Sequence, residues 1–257
     1  MLRLIIQAAL LLFFSAAVGQ TGEMLLSKAY KSKSIDQLQS FFENWASETP
    51  PILQSDFDKL SDTAQAIYKV FQSFYNPKDI NRTGGSEWGN DIYKGTKYFI
   101  VQDRIYFAFV DTLISDNEEE RFLTAKNYDT LKDFRPQISF PKTNCVVLTK
   151  YYDQLLNRFL DDKHYDFGTG NIMSPARSKG ESEKRMQFLE NYIKVWYGHW
   201  GGYWQLYSYP YASKITFDKT FQNAVVDYVM IYEGGYAFFK KVKDEWILIK
   251  AKRTWIE

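Results

Sequence analysis

The end of the chain leaves little freedom in architecture. Ala224 to Tyr232 (AVVDYVMIY), Tyr236 to Val242 and Trp246 to Ile256 are dense in β-branched and aromatic residues. Such residues fit a pleated, half-buried surface. Gly234-Gly235 and Lys243-Asp244 separate the runs, and glycine at the first break supplies the positive φ that a tight hairpin needs. The three runs read as an antiparallel meander. A short strand over Lys214 to Phe217 precedes it, and Tyr203 to Tyr209 reads as one strand more.

The middle of the chain continues the β pattern. Lys97 to Val101, a turn at Gln102-Asp103 and Arg104 to Leu113 read as a hairpin, while Phe134 to Phe140 and Asn144 to Thr149 read as two short strands. Helical periodicity dominates elsewhere. After a polar lead from Gln20 to Lys33, Ser34 and Gln37 form a capping box. Ile35, Leu38, Phe41, Phe42 and Trp45 then mark one face until Pro50-Pro51. A second stripe runs Leu60, Ala64, Ile67, Tyr68, Phe71 and Phe74. Thr149 can cap a helix bearing Tyr151, Tyr152, Leu155, Leu156 and Phe159. Met186, Leu189, Ile193 and Trp196 mark one further helix after a polar, glycine-bearing stretch from Asp161 to Glu181, which reads as a loop or linker.

The N-terminus has the three-part layout of a secretory signal peptide. Arg3 is followed by an apolar run from Leu4 to Phe14 and by small residues including Ala17 and Gly19. That run is shorter than the roughly 20 apolar residues a bilayer-spanning helix needs. The expected organisation is a signal peptide over 1–19, a helical pair with a small antiparallel sheet over 20–149, and an α+β domain over 150–257, the last two sharing one core. Without Arg3 the basic and acidic residues balance at 31 each, which leaves no electrostatic footprint for nucleic acid. Cys145 is the single cysteine, so no internal disulfide forms. Its apolar neighbours Val146, Val147 and Leu148 make it a small buried hydrophobe.

Three words carry a resemblance. FRPQIS (Phe134 to Ser139), VVLTKYYDQLLNRFL (Val146 to Leu160) and HWGGYW (His199 to Trp204) resemble an exported family typical of Bacteroidetes, and this implies export and family rather than an activity. The order of elements from about residue 150 to 257 is similar to NTF2-like, cystatin-type α+β domains. That similarity implies helices packed on a curved antiparallel sheet around a conical cavity. It leaves open both isomerase-type enzymes and non-catalytic binding modules, because fold does not choose between them.

A candidate site follows from side-chain chemistry. Tyr197 to Tyr209 packs six aromatics, three glycines and His199 into thirteen residues. His199 can act as a base or orient a ligand, or can simply bond a backbone carbonyl. Asp227 is flanked by apolar alternation. If Val225, Asp227, Val229 and Ile231 face inward, it is a buried carboxylate suited to an isomerase base. If Val226, Tyr228, Met230 and Tyr232 do, it is exposed and inert, and this larger, aromatic face is the better packing surface. Trp200, Tyr203, Trp204, Tyr207 and Tyr209 could stack a sugar, a lipid ring or another flat apolar ligand. Strand parity would set Tyr203, Tyr207 and Tyr209 against Trp204.

The expected ligand-binding set is therefore His199, Trp200, Tyr203, Trp204, Tyr207, Asp227 and Tyr232, without an assigned catalytic residue. Two histidines are too few for a histidine-built metal site. No nucleophile elbow or phosphate-binding loop occurs, and no cofactor is implied. The expectation is an exported, non-catalytic protein that binds a small apolar or carbohydrate-derived ligand or a protein partner. The alternative is an isomerase- or hydrolase-type enzyme that uses His199 or Asp227.

Overall fold

The computed structural model describes residues 22–84, 89–111, 128–160, 179–197 and 204–256. The signal-peptide segment, the acidic run Asp116 to Glu120, most of the expected linker and the stretch from 198 to 203 lie outside these residues. In chain order the helices are α1 (22–32), α2 (Ile35–Glu48), α3 (Gln54–Phe57), α4 (Asp62–Phe74), α5 (Lys150–Leu160) and α6 (Lys179–Leu189). The strands are β1 (Tyr98–Gln102), β2 (Arg104–Val110), β3 (Asp129–Lys132), β4 (Asn144–Leu148), β5 (Trp196–Tyr197) and β6 (Trp204–Gln205). They continue with β7 (Tyr211–Asp218), β8 (Asn223–Met230), β9 (Glu233–Val242) and β10 (Glu245–Ile256). The protein is α+β. Two compact units assemble from separated stretches of chain.

The first unit comprises the chain up to Thr49, Thr96–Tyr98 and Leu148–Leu206. Its helices follow from their caps and stripes. Ser34 accepts from the Gln37 amide at the start of α2, whose buried face is Leu38, Phe41, Phe42 and Trp45. Trp45 stacks on Tyr152 of α5 with ring centroids 4.3 Å apart and 9° between planes. Phe42 stacks on Tyr98 and Tyr192. The Tyr152 hydroxyl donates to Glu48 Oε2 at 2.6 Å, so the buried ring keeps its polar end satisfied. Two turns further along α5, Tyr30 of α1 meets Phe159, and it also meets Phe188 of α6, both edge-on. The residues expected as a polar lead thus form a helix that buries Leu26 and Ala29.

The last expected helix is shorter than its heptad spacing implied. Helix α6 ends at Leu189, because the chain turns there: the amides of Tyr192 and Ile193 both donate to Leu189 O. Asn191 Nδ2 donates to Phe188 O at 2.9 Å. Ile193 is buried in that turn and Trp196 belongs to β5.

The second unit comprises Pro50–Gly95, Phe99–Val147 and Tyr207 onward. Its six-stranded sheet has the order β10-β9-β8-β7-β2-β3. All neighbours are antiparallel except β2 and β7, which run parallel with Phe107 opposite Ile215. The sheet is therefore mixed, where a purely antiparallel one was expected. Helix α4, capped by Ser61, covers one side, hereafter the helix side: Phe74 meets Tyr228 of β8 at 5.9 Å. Ile215, Phe217, Val226, Tyr228, Ala237, Phe239 and Trp246 are buried there. The Tyr228 hydroxyl donates to Thr83 O in the 3-10 turn Ile80–Thr83.

The expected hairpin over 97–113 does not form. Strand β1 pairs with β4, and β2 pairs with β3 and β7. Every residue of β1 is buried, so it needs cover on both faces. At the corner the Gln102 amide donates to Arg104 O and Ala212 O and accepts from Ala212 N. No strand forms over 134–139. Pro136 has no N–H, and the backbone groups of Arg135 are taken by the Tyr68 hydroxyl and Ile52 N. The short strand β3, upstream of that segment, was not foreseen.

The closing meander forms, with one turn displaced. Lys243 takes φ +58° at the second turn as expected, but the first turn lies at Ile231-Tyr232, with Ile231 at φ +52°. Gly234 and Gly235 sit inside β9. A Cβ on Gly235 would collide with the Lys252 carbonyl of β10, and one on Gly234 with the Trp255 indole. Close approach of neighbouring groups, rather than turn geometry, requires glycine at both positions.

Burial raises the hydroxyl pKa of Tyr75 well above its ordinary value, and that of Tyr68, Tyr152 and Tyr228 as well. Each folded value lies above the unfolded one. The associated stability is present below pH about 10 and is lost as pH rises beyond it. Ultraviolet titration should show the tyrosinate absorbance of these four residues appearing in a cooperative step that coincides with loss of far-ultraviolet ellipticity. A smooth, non-cooperative titration of all tyrosines near pH 10 would contradict this burial.

Candidate tyrosine face of the sheet

The side of the sheet away from α4 carries a row of polar and aromatic residues fixed by register. Lys214 of β7 faces Asp227 of β8, and Asp227 faces Tyr236 of β9, which faces Lys252 of β10. Tyr106 precedes Phe107, the partner of Ile215, and so shares Lys214's side. Lys214 Nζ lies 3.1 Å from an Asp227 carboxylate oxygen, with 42% of the aspartate side chain exposed. A β-bulge at Ser213 makes this alignment, because it shifts the register between Ala212 and Lys214. Ser213 Oγ donates to Asp227 O at 2.9 Å.

Tyrosines cluster at the β2–β7 end. Tyr207 and Tyr211 have centroids 4.9 Å apart, and Tyr106 and Tyr128 5.5 Å apart. Tyr106, Tyr207 and Tyr211 are half-buried, and Tyr128 is 65% exposed. Burial, followed by the neighbouring Tyr106, raises the Tyr211 hydroxyl pKa, so this hydroxyl is a neutral donor and acceptor at physiological pH. Arg104 is held by Asp103 through Nε and one terminal nitrogen at 2.8 and 3.0 Å.

The chain matches no protein-family model, no curated protein and no solved structure.

The expected site residues divide. His199, Trp200 and Tyr203 lie outside the described residues. Trp204 is buried in β6 and packs edge-on against Tyr197 at 5.0 Å. The chain from Leu206 to Pro210 is not a strand, so the expected parity of Tyr203, Tyr207 and Tyr209 does not apply. The amides of Ser208 and Tyr209 bond Ile100 O and the Tyr93 hydroxyl instead of a strand neighbour. Tyr207 and Asp227 belong to the second unit and Trp204 to the first. Tyr232 is half-buried at the β8–β9 turn.

Asp227 is ion-paired and partly exposed rather than buried as a base would be, which corrects the first of its two readings. Its alternation was legible: Val226, Tyr228 and Met230 of the aromatic face are all buried, while on Asp227's own face Val225 is buried with Tyr236 and Phe238. Tyr106, Tyr211, Lys214 and Tyr236 were missed. Only strand register joins them, and the bulge at Ser213 hides it from sequence spacing. Among the described residues no cluster of three or more His, Cys, Asp or Glu could hold a metal ion. Burial pushes the Cys145 thiol up to about 12, so it is a thiol rather than a nucleophilic thiolate near neutrality.

Proposed function

We propose that this is an exported, non-catalytic binding protein with an NTF2-like C-terminal half. Its tyrosine face contacts a carbohydrate-derived ligand. The observation that supports this is the half-buried cluster of Tyr106, Tyr207 and Tyr211 beside the Lys214–Asp227 pair. Tyrosine offers a flat apolar ring and a hydroxyl at low cost in side-chain entropy, and the ion pair offers both hydrogen-bond donors and acceptors to sugar hydroxyls. The strand–turn–strand meander of β8, β9 and β10 supports the NTF2-like relation, and the layout of the first 19 residues supports export.

The enzyme alternative drew on His199, which lies outside the described residues, or on Asp227 as a base. Asp227 pairs with Lys214, and this favours binding instead.

Isothermal titration against a panel of neutral and acidic oligosaccharides tests the reading. At least one should bind saturably, and Tyr211→Ala should weaken it by about tenfold, the loss of roughly one stacked ring. No binding across the panel, or binding indifferent to Tyr211, overturns it.

A further inference from the structure

The six-stranded sheet has two edges, and they are built differently. Strand β3 ends it on one side with four residues. Strand β10 ends it on the other with twelve, and has a strand neighbour, β9, on one flank only. From Glu245 to Ala251 no backbone group of β10 bonds anything beyond that ladder among the described residues. An edge of this length is a template for another strand unless brevity, charge or a covering element blunts it. In β10 the cations begin only at Lys250, and Glu245, Ile247, Ile249 and Lys250 are all exposed.

Apolar exposure gathers at the same edge. Of the eleven large hydrophobic side chains exposed among the described residues, five lie in the β9–β10 hairpin: Val242, Ile247, Ile249, Trp255 and Ile256. Such a concentration marks a contact surface rather than scattered surface apolarity. Ile249, the extra residue where the ladder to β9 slips, is 54% exposed.

The charge along β10 selects the partner. The hairpin turn and strand start are acidic, with Asp244 91% exposed and Glu245 beside it. The apolar run Trp246 to Ile249 follows, and the strand turns basic at Lys250. A second β10 laid antiparallel about a dyad near Leu248 sets the acidic end of each copy beside the basic part of the other, twice over. It also brings Ile247 of each copy beside Ile249 of the other. Parallel apposition would set like charges together instead.

We propose that two copies of this chain pair antiparallel through their β10 edges, joining their six-stranded sheets into one. The contact is isologous, and its dyad is normal to the sheet. Both tyrosine faces therefore lie on the same side of the joined sheet. The pairing does not depend on what those faces bind.

Analytical ultracentrifugation across micromolar concentrations tests it. The parent should sediment as a monomer–dimer equilibrium. Ile249→Lys, which puts like charges on both sides of the dyad, should raise the dimer Kd by at least about tenfold, and so should Glu245→Lys or Lys250→Glu alone. The two charge variants mixed together should recover the dimer, because each then meets opposite charge. Neither a misfolded variant nor a contact elsewhere on the surface gives that recovery. Amides of residues 245–251 that point away from β9 should exchange more slowly in the dimer than in the dilute monomer.

A monomer at every concentration overturns the proposal. So does a dimer indifferent to all three variants, or one whose β10 amides exchange as fast as the monomer's, since either result puts the contact elsewhere. A mixture of the charge variants that stays monomeric overturns the antiparallel arrangement. None of these readouts involves a sugar, so their failure leaves the carbohydrate reading to its own titration.

Discussion

Replacing Trp45 with alanine should cost about 3–5 kcal/mol, the usual range for removing a fully buried large aromatic side chain. Trp45 has no exposed surface. It sits between Tyr152, stacked at 4.3 Å, and Phe42, at 5.9 Å and 21°. The lost indole would leave a void lined by aromatic rings, which are too rigid to collapse into it. Tyr152 would also lose the ring that positions its hydroxyl toward Glu48. Thermal unfolding should shift down by roughly 10 °C, given about 2–4 °C per kcal/mol for a chain of this size. Met24→Ala, at a side chain 64% exposed, should stay within about 0.5 kcal/mol of the parent. Comparable losses from both substitutions would mean that the first unit is not organised around Trp45.

Arg253→Ala should cost about 3 kcal/mol, because it strands a buried carboxylate. Glu233 is 1% exposed, and its Oε2 accepts from Arg253 Nη1 at 2.6 Å, while Arg253 keeps 35% of its side chain exposed. Breaking a buried pair by removing one partner is typically worth about 3–5 kcal/mol, and the partial exposure of Arg253 places this case at the low end. Glu233 Oε1 accepts no hydrogen bond among the described residues, so no second donor stands ready to replace the arginine. The double substitution Glu233→Leu with Arg253→Leu should recover most of the loss, since two apolar groups of similar volume leave no charge to desolvate. Denaturant unfolding of the two singles and the double closes the cycle. A double variant as unstable as Arg253→Ala would show that packing, rather than the stranded charge, is responsible.

The helices were the most legible part of the chain, because their signals are local. Ser34 marks the start of α2 and accepts the expected amide bond, and Ser61 caps α4 in the same way. The aromatic stripes behind them are buried almost residue for residue. Strands were legible as segments but not as pairs. Nothing local in Arg104 to Val110 tells that its partner lies near Ile215, about a hundred residues on. The glycine pair misled for a related reason. Gly234-Gly235 has the composition of a turn, yet the positive φ falls on Ile231, and the glycines answer to Lys252 and Trp255 across the ladder.

The candidate face was legible in part. Asp227 and Tyr207 could be chosen from their own neighbourhoods, whereas Lys214 meets Asp227 only through the bulge at Ser213.

The parallel contact between β2 and β7 has a consequence for how the chain comes into being. Phe107 leaves the ribosome long before Ile215, and at typical synthesis speeds the interval is roughly 5–20 seconds. During that time β2 can pair with β3 on one edge only, with Ile105 and Ala108, which end up buried, facing water. The nascent chain therefore carries an open, apolar strand edge while the second half of its sheet is still being made. Closure of that edge waits on the arrival of β7, which makes the nascent second unit a natural client for a holding chaperone.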